Sequence, residues 1–469
     1  MKRIFLTGAS ALALFAIAPA FAQSNTSTVT QSGNGVGATV SQTGSSAQST
    51  VTQGGNSNQA DVSQTGVGAE SIVLQDNGTG SSDDDNTATV DQTGDVYSRI
   101  RQYNDGGEAS VTQNGQDSTS DILQTGDNDD AVVNQDGDDH DSTITQSGNS
   151  NFANVLQGAG NNLSNIVQSS GNNDAYVDQS GFDNRSTITQ TGSFLSGANS
   201  ASVLQSGDDN RSQIFQTGAL NEAGDDATVR GVIQSGDENF SRITQGGGLQ
   251  DAYVEQDGDE NVSYVDQGGF SAAHDATVVQ DGDRNFSDVL QRGLASVAEV
   301  TQGGDDNVSW IDQGPIGAHS AEVIQGGDNN KSTIEQLGWD QSAFVNQIGS
   351  DNESIIDQGM LGGEDQFASV IQSGDEGMSS IVQRGDNQIA RVDQGGMLNE
   401  SSIAQDGIGN TTDVAQTGSD NMSTVVQNGV GNVADVSQSS SFNISTVSQN
   451  GTGHSATVTQ GGSSAVPLL

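Results

Sequence analysis

A chain of 469 residues with 31% hydrophobic and 4% aromatic residues, 62 glycines and no cysteine lacks the apolar material for one large globular core and the thiols for a disulfide framework or a cysteine zinc site. Acidic residues number 61 against 13 basic ones, a net charge of −48, which excludes nucleic acid and anionic membranes as partners and leaves cations and cationic surfaces. Low hydrophobicity with high net charge is also the composition of disorder, so any ordered structure has to come from pattern.

In chain order, residues 1–22 have the form of a secretory signal. Lys2 and Arg3 are followed by an apolar run from Ile4 to Ala18, and Ala20-Phe21-Ala22 is a small-x-small cleavage site that places the mature start at Gln23. No later stretch reaches the roughly 20 apolar residues of a membrane helix, so an exported chain is expected.

From Ser27 (STVTQ) to Ala456 (ATVTQ) a pentapeptide, small-x-(Val/Ile)-x-Gln, recurs 38 times, and 30 of the 37 intervals between its glutamines equal the one from Gln31 to Gln42. The series begins Gln31, Gln42, Gln53, Gln64, Gln75, and continues through Gln179, Gln190, Gln205, Gln216, Gln256 and Gln267 to Gln460. Positions −4, −2 and 0 relative to Gln are restricted, whereas −3 and −1 vary freely. A period of two predicts β-strands whose restricted face is buried.

A slower alternation lies beneath. The small residue switches between Ser and Ala in successive copies (Ser27, Ala38, Ser49, Ala60, Ser71, Ala88), and Val accompanies Ala while Ile mostly accompanies Ser. Only Arg230 and Thr412, both at Ala-type places, break it. The unit is therefore two strands long, and it repeats at the distance from Gln31 to Gln53. These features predict an all-β fold, a β-solenoid of about 19 two-strand rungs over residues 23–460 with a tail at 461–469. Each strand pairs in parallel and in register with its equivalent one unit on, at about 4.8 Å, giving a rod of ~90 Å.

Like side chains then stack on like, and an inward Gln can donate to the amide on one side and accept from the amide on the other. The glutamines named above, with Asn184, Asn210 and Asn261 at the fifth position after Gln, form the expected structural ladder. Glycine two residues after Gln (Gly44, Gly66, Gly207, Gly258) is expected to supply a positive φ at the bend. Lengthened intervals follow Gln75, Gln190, Gln216, Gln267, Gln313 and Gln358, all on the Ser-to-Ala connection, so insertions are predicted in loops on one edge. The one short interval lies between Gln92 and Gln102.

The Gln-x4-Asn-x5-Gln spacing, the two-strand unit, the Gly after Gln and the export signal resemble the curlin repeat of curli fibre subunits. The resemblance spans Ser27 to Gln460. It implies a subunit that leaves through a dedicated outer-membrane secretion channel, meets a nucleator, and polymerises with copies of itself into extracellular amyloid (fimbrial material at the bacterial cell surface) for adhesion and biofilm matrix. The chain departs from the best-known curli subunits in having many more units, in mostly lacking their Ser six residues before Gln, and in its acidity.

Nothing in the residues points to an enzyme. His140, His274, His319 and His454 are scattered at turns, and no pocket for positioned acid, base or nucleophile is expected in a thin core. No catalytic or cofactor site is predicted. Asp-rich turns at 81–86, 126–130 and 136–141 offer oxygen ligands, but without EF-hand or nonapeptide-roll spacing, so diffuse association of divalent cations is expected and a specific metal site is not. Outward threonine pairs such as TVT and TIT are interrupted by Asp, Tyr, Arg and Leu, which breaks any lattice-matching face for ice. Trp310 and Trp339 suggest no ligand cage. Two functions of different class stand side by side: a polymerising fibre subunit, and a monomeric acidic β-solenoid adhesin that binds cations or a surface. The repeat starts about four residues after the predicted cleavage site and stops nine before the C-terminus, which leaves two open edges able to template another chain.

Overall fold

The computed structural model describes residues 24–76, 85–103, 105–192, 198–224, 231–269, 273–359 and 363–462. The predicted signal with Ala22 and Gln23, most of the inserted loops and most of the tail lie outside the described residues. Within them the chain forms a single 37-stranded arrangement in which each strand pairs with its equivalent one unit on, in most cases the next strand but one. Every pairing is parallel, and all but one keep an unbroken register: Ser27 lies on Ser49, Val29 on Val51 and Gln31 on Gln53, while Ala38 lies on Ala60 and Gln42 on Gln64. This is an all-β parallel β-solenoid of about 19 rungs.

The two sheets face each other across a core one side chain deep on each side. Ile100, Ile122, Ile144, Ile166 and Ile188 stack in the Ser-type sheet and are fully buried. Opposite them run Ala131, Val133, Ala153, Val155, Ala175 and Val177, in the same apolar cluster. Burial of each such Ile is worth about 2–3 kcal/mol, and stacking repeats the gain on every rung. The alternation of buried and partly exposed residues along Asp141–Gln146 is the period of two in the pentapeptide.

The break at Arg230 is resolved differently from the expectation. Glu222–Ala223 pairs with Ser200 and Ala201, and Val232–Gln234 with Val203 to Gln205. Ala223 therefore fills the Ala place, and the insertion opens inside the strand, between its first and second inward residues. It does not sit in the edge loop that the interval after Gln216 suggested, and Arg230 itself is outside the described residues. Thr412 does occupy an Ala place. Its hydroxyl is buried, accepts from Gln405 Nε2 at 3.2 Å and donates to Gln427 Oε1 at 2.9 Å, so the extra polar atom joins the amide ladder. The short interval after Gln92 is absorbed by a register shift between Asp95 and Tyr97, where Val96 turns inward.

The reason for glycine also differs between turns. Gly44 and Gly66 have φ of 130° and 124°, as expected. Gly207 and Gly258 do not take a positive φ. The left-handed residues in their turns are Asp209 at 55° and Glu260 at 57°. A Cβ on Gly207 would lie 2.1 Å from the Gly236 carbonyl oxygen, and one on Gly258 2.2 Å from that of Gly282. Rungs stacked about 4.8 Å apart leave no room there for a side chain.

Gly258→Ala should therefore destabilise its rungs by about 1–3 kcal/mol through overpacking, whereas Gly268→Ala, whose Cβ meets nothing within 4 Å, should be close to neutral. Amide hydrogen exchange read rung by rung checks this, with faster exchange expected around 258 and 282 in the first variant only.

Candidate functional site: the amide ladders and the open end rungs

Each rung contributes two inward glutamines. Gln31 Nε2 donates to Gln53 Oε1 at 2.8 Å, Gln53 to Gln75 at 2.9 Å, Gln42 to Gln64 at 2.8 Å and Gln64 to Gln92 at 2.9 Å. In the middle of the rod Gln179 donates to Gln205 and Gln205 to Gln234, both at 2.8 Å. Gln190 donates to Gln216 at 2.9 Å and Gln216 to Gln245 at 2.8 Å. Gln256 donates to Gln280 at 2.8 Å and Gln267 to Gln291 at 3.0 Å. The second amide hydrogen is used as well. Gln190 Nε2 also reaches the carbonyls of Asp174 at 2.9 Å and Asn199 at 3.1 Å, tying the side chain to the start of the opposite strand. A buried amide left unpaired costs about 1–3 kcal/mol, and here both of its halves are used. Every bond has the same sense, with the donor on the earlier rung.

The corners carry a second ladder of the opposite sense. Asn184 Oδ1 accepts the backbone N–H of Asn210 at 2.9 Å, Asn210 Oδ1 that of Asn239 at 2.9 Å, and Asn261 Oδ1 that of Asn285 at 2.8 Å. Asn184 Nδ2 and Asn210 Nδ2 each donate at 2.6 Å to the next rung's turn carbonyl, that of Gly207 and Gly236. On the other edge the amides also bond directly, Asn173 Nδ2 to Asn151 Oδ1 at 3.0 Å.

Aspartates in the turns that lead from Ala-type to Ser-type strands are built into this scheme. Asp208 Oδ1 accepts the N–H of Phe182, Asp237 that of Asp208 and Asp259 that of Asp237, each at 2.8 Å. Asp283, Asp305 and Asp328 repeat the contact at 3.0 Å. Stacked carboxylates about 4.8 Å apart repel by about 0.9 kcal/mol per pair in water, but a hydrogen bond to a charged acceptor is worth about 1.5–3 kcal/mol, so at these positions bracing outweighs repulsion. Among the described residues no group of three or more His, Cys, Asp or Glu converges on a metal site.

At the two ends the ladders stop. Gln449 Nε2 bonds Val433 O at 2.9 Å and Gln460 Nε2 bonds Ile444 O at 3.0 Å, with no amide of a further rung among the described residues. Gln31 and Gln42 present carbonyl oxygens that accept from no earlier rung among them. One end therefore offers amide donors and the other acceptors. Among the described residues Thr26–Gln31 and Ile444–Thr452 each pair on one side only.

A family model of the curlin associated repeat matches residues 115–148 and 161–192. The chain carries curlin repeats. No curated protein matches it. But for the last two residues of the second, both matched segments fall between Gln102 and Gln190, where every interval equals that from Gln31 to Gln42, a regular part of the rod without insertions. The curlin repeat is a structural unit, and the ladder and turn bonds above are the chemistry this one performs.

The curlin corners also hold what a search for scattered residues misses. All four histidines lie six residues before a ladder Gln (Gln146, Gln280, Gln325, Gln460), the place that Asn184, Asn210 and Asn261 hold. Counting back from the following Gln, and not forward from the preceding one, removes the effect of insertions and exposes this. His274 Nδ1 takes the role of the Asn oxygen, accepting the Ser296 N–H at 3.2 Å. His140, His274 and His319 are buried, and burial pushes their pKa down. Their neutral forms contribute fully above the ordinary value near 6.5, and that contribution is lost as pH falls below it toward the depressed folded values. Asp129 occupies the same kind of corner, accepting from Asn151 N–H at 2.9 Å and Nδ2 at 3.0 Å. Burial pushes its carboxyl up to about 6 in spite of those bonds. Its penalty is present above pH 6 and is relieved as pH falls toward 3.8.

Asp129→Asn should accordingly stabilise the protein at pH 7.5 by up to about 3 kcal/mol, the gain shrinking below pH 6 and vanishing below 4, as followed by urea unfolding across pH. Buried Ser hydroxyls of the Ser-type sheet such as Ser241, Ser263 and Ser287 make no hydrogen bond among the described residues. Ser263→Ala, which copies the opposite sheet, is expected to leave thermal stability unchanged or raise it by about 1 kcal/mol.

Proposed function

We propose that this chain is a secreted structural subunit that polymerises end to end into extracellular curli-like amyloid fibres serving surface adhesion and biofilm matrix. The leader at 1–22, cleaved between Ala22 and Gln23, would deliver residues 23–460 as the folding unit with 461–469 as a tail, and export would use a curli-type outer-membrane channel and nucleator. The observation that carries this reading is the complementarity of the two end rungs. Gln449 and Gln460 present donors where Gln31 and Gln42 of a second copy present acceptors, so a head-to-tail joint continues both ladders while like ends oppose donor to donor or acceptor to acceptor. The strands match as well: Ile444–Thr452 ends the Ser-type stack that Thr26–Gln31 begins, and Ser455–Gln460 ends the Ala-type stack that Gly37–Ser45 begins.

Charge supports the same joint. No Asp, Glu, Lys or Arg lies between Gln23 and Ala60 or between Asp435 and Leu469. Across a joint the columns would run Asp435, Thr457, Thr39, Asp61, three steps or ~14 Å, beyond the Debye length of about 8 Å at physiological ionic strength but within the roughly 30 Å of 0.01 M salt. Acidity thus delays assembly in dilute salt and hardly opposes it at physiological salt.

Mature protein is expected to remain unassembled near 10 mM salt and to form thioflavin-positive fibres with a reflection at about 4.8 Å along the fibre axis near 150 mM. A monomer that persists at every salt concentration would sink the fibre reading, and assembly or surface binding that requires micromolar Ca²⁺ where matched ionic strength does nothing would favour the acidic adhesin. Thr28→Asp combined with Thr446→Asp sets carboxylates about 4.8 Å apart across each joint, a cost of ~0.9 kcal/mol, and should slow elongation about fourfold at 150 mM. Thr187→Asp, in mid-rod, should leave elongation unchanged.

A further inference from the structure

The outward face of the Ser-type sheet carries a row of rings that neither the ladders nor the joint uses. Phe240 and Tyr264 have centroids 5.5 Å apart, Tyr264 and Phe286 6.0 Å, and Phe286 and Trp310 5.8 Å, tilted by 52° to 55°. The guanidinium of Arg211 caps one end 5.6 Å over Phe240, and the ammonium of Lys331 the other, 5.5 Å over Trp310. The row runs along the rod, across the strands, over four consecutive rungs. It also alternates. Rungs Phe240–Gly248 and Phe286–Gln291 place Phe in the first outward column and a charge, Arg242 or Asp288, in the second. Rungs Val262–Gln267 and Val308–Gln313 place Val in the first, an aromatic in the second and Asp in the third. Tyr264 lies beside Asp288, and Asp288 beside Trp310, so equivalent rings recur every two steps, about 9.6 Å.

Two shallow hollows flank the row. One is lined by Arg242, Thr244, Tyr264, Asp266 and Asp288, the other by Asp288, Leu290, Trp310, Asp312 and Thr333. Asp288 thus sits between the two rings and faces both hollows. Burial, followed by Asp266 and Asp312, pushes its carboxyl above the ordinary range, so a hydroxyl donor placed there relieves an under-solvated carboxylate.

We propose that this face binds an extended, uncharged β-linked polysaccharide along the rod axis, Tyr264 and Trp310 stacking on alternate sugars while Asp288, Asp266 and Arg242 take hydroxyl hydrogen bonds. A β-1,4-linked chain is a flat ribbon that presents the same face once per disaccharide, a spacing of the same scale as the two-rung repeat. Its rings offer apolar C–H faces to aromatic side chains and equatorial hydroxyls to acids and amides at the rim. The net charge of −48 repels acidic glycans and nucleic acids, and a neutral polymer suits the uncharged ring faces of Tyr264 and Trp310. The face lies on the flank of the rod, away from both end rungs, so this reading holds for single subunits and fibres alike and does not depend on the joint.

The test is co-sedimentation with cellulose particles and titration of cellohexaose, followed by tryptophan fluorescence, on unassembled protein at low salt and again on fibres. Tyr264→Ala with Trp310→Ala, both outward side chains, is expected to weaken binding at least about tenfold, or 1.4 kcal/mol. Trp339→Ala, at an edge turn, should bind normally, and unchanged circular dichroism and fibre diffraction would show that the double variant keeps its fold. Asp288→Asn should weaken cellohexaose binding by a smaller factor. The proposal is overturned if the double variant binds as the parent does, if helical amylose binds equally well, or if all binding is lost on raising salt, as for charge-driven adsorption. Loss of lateral fibre bundling with unchanged glycan affinity would assign the face to a second copy instead and would equally overturn it.

Discussion

Every rung of this solenoid has to accept a near copy of itself about 4.8 Å away, and the rest of the structure follows from that demand. Stacking in register turns an inward amide, costly alone, into a bond to each neighbour, as in the series from Gln31 through Gln53 to Gln75. The same spacing forbids a Cβ at Gly207 and Gly258 and lets a turn aspartate reach the backbone of the preceding rung. A protein poor in large apolar side chains can be ordered on these terms because each favourable contact is made once per rung and never has to be reinvented.

Much of this is legible in the sequence because the repeat compares the chain with itself. The period of two in the pentapeptide names the buried face, and the Ser/Ala alternation names two sheets and their in-register partners. What the repeat leaves obscure are features that depend on distances between rungs. The steric role of Gly207 is invisible where only local φ preference is considered, and the left-handed turn residue is Asp209, of a type that charge alone marks as a source of repulsion. The stacked aspartates look purely repulsive until the N–H that each one holds is seen. Arg230 falls at an Ala place when the spacing is counted back from the following Gln, whereas Ala223 keeps its spacing from the preceding one and is the residue the sheet uses. The histidines look scattered for the opposite reason: insertions precede two of them, and only the following Gln preserves their place.

Acidity is distributed with the architecture. The turns of the constant-length edge carry it where a backbone donor waits, as in the run from Asp208 to Asp328, while the terminal rungs carry none up to Asp61 and none after Asp435. A polyanion of this kind is soluble along its flanks and neutral at the two surfaces through which an edge strand can be extended. The outward rings from Phe240 to Trp310, of which Trp310 is exposed and the others half-buried, interrupt the charged flank along the Ser-type sheet, which sets them apart from the repeat's structural needs.

The two-sheet rung also constrains how such a gene can change length. Duplication or loss of one whole unit, the length from Gln31 to Gln53, adds or removes one rung and leaves every interface in the rod, and both of its end surfaces, as they were. A change of half a unit shifts all later strands to the opposite sheet, setting Ala/Val strands on Ser/Ile strands and stacking inserted loops over turns that have no room for them. Copy number is then free to drift in double steps and is held against single ones, so that chains of very different length can present the same pair of ends.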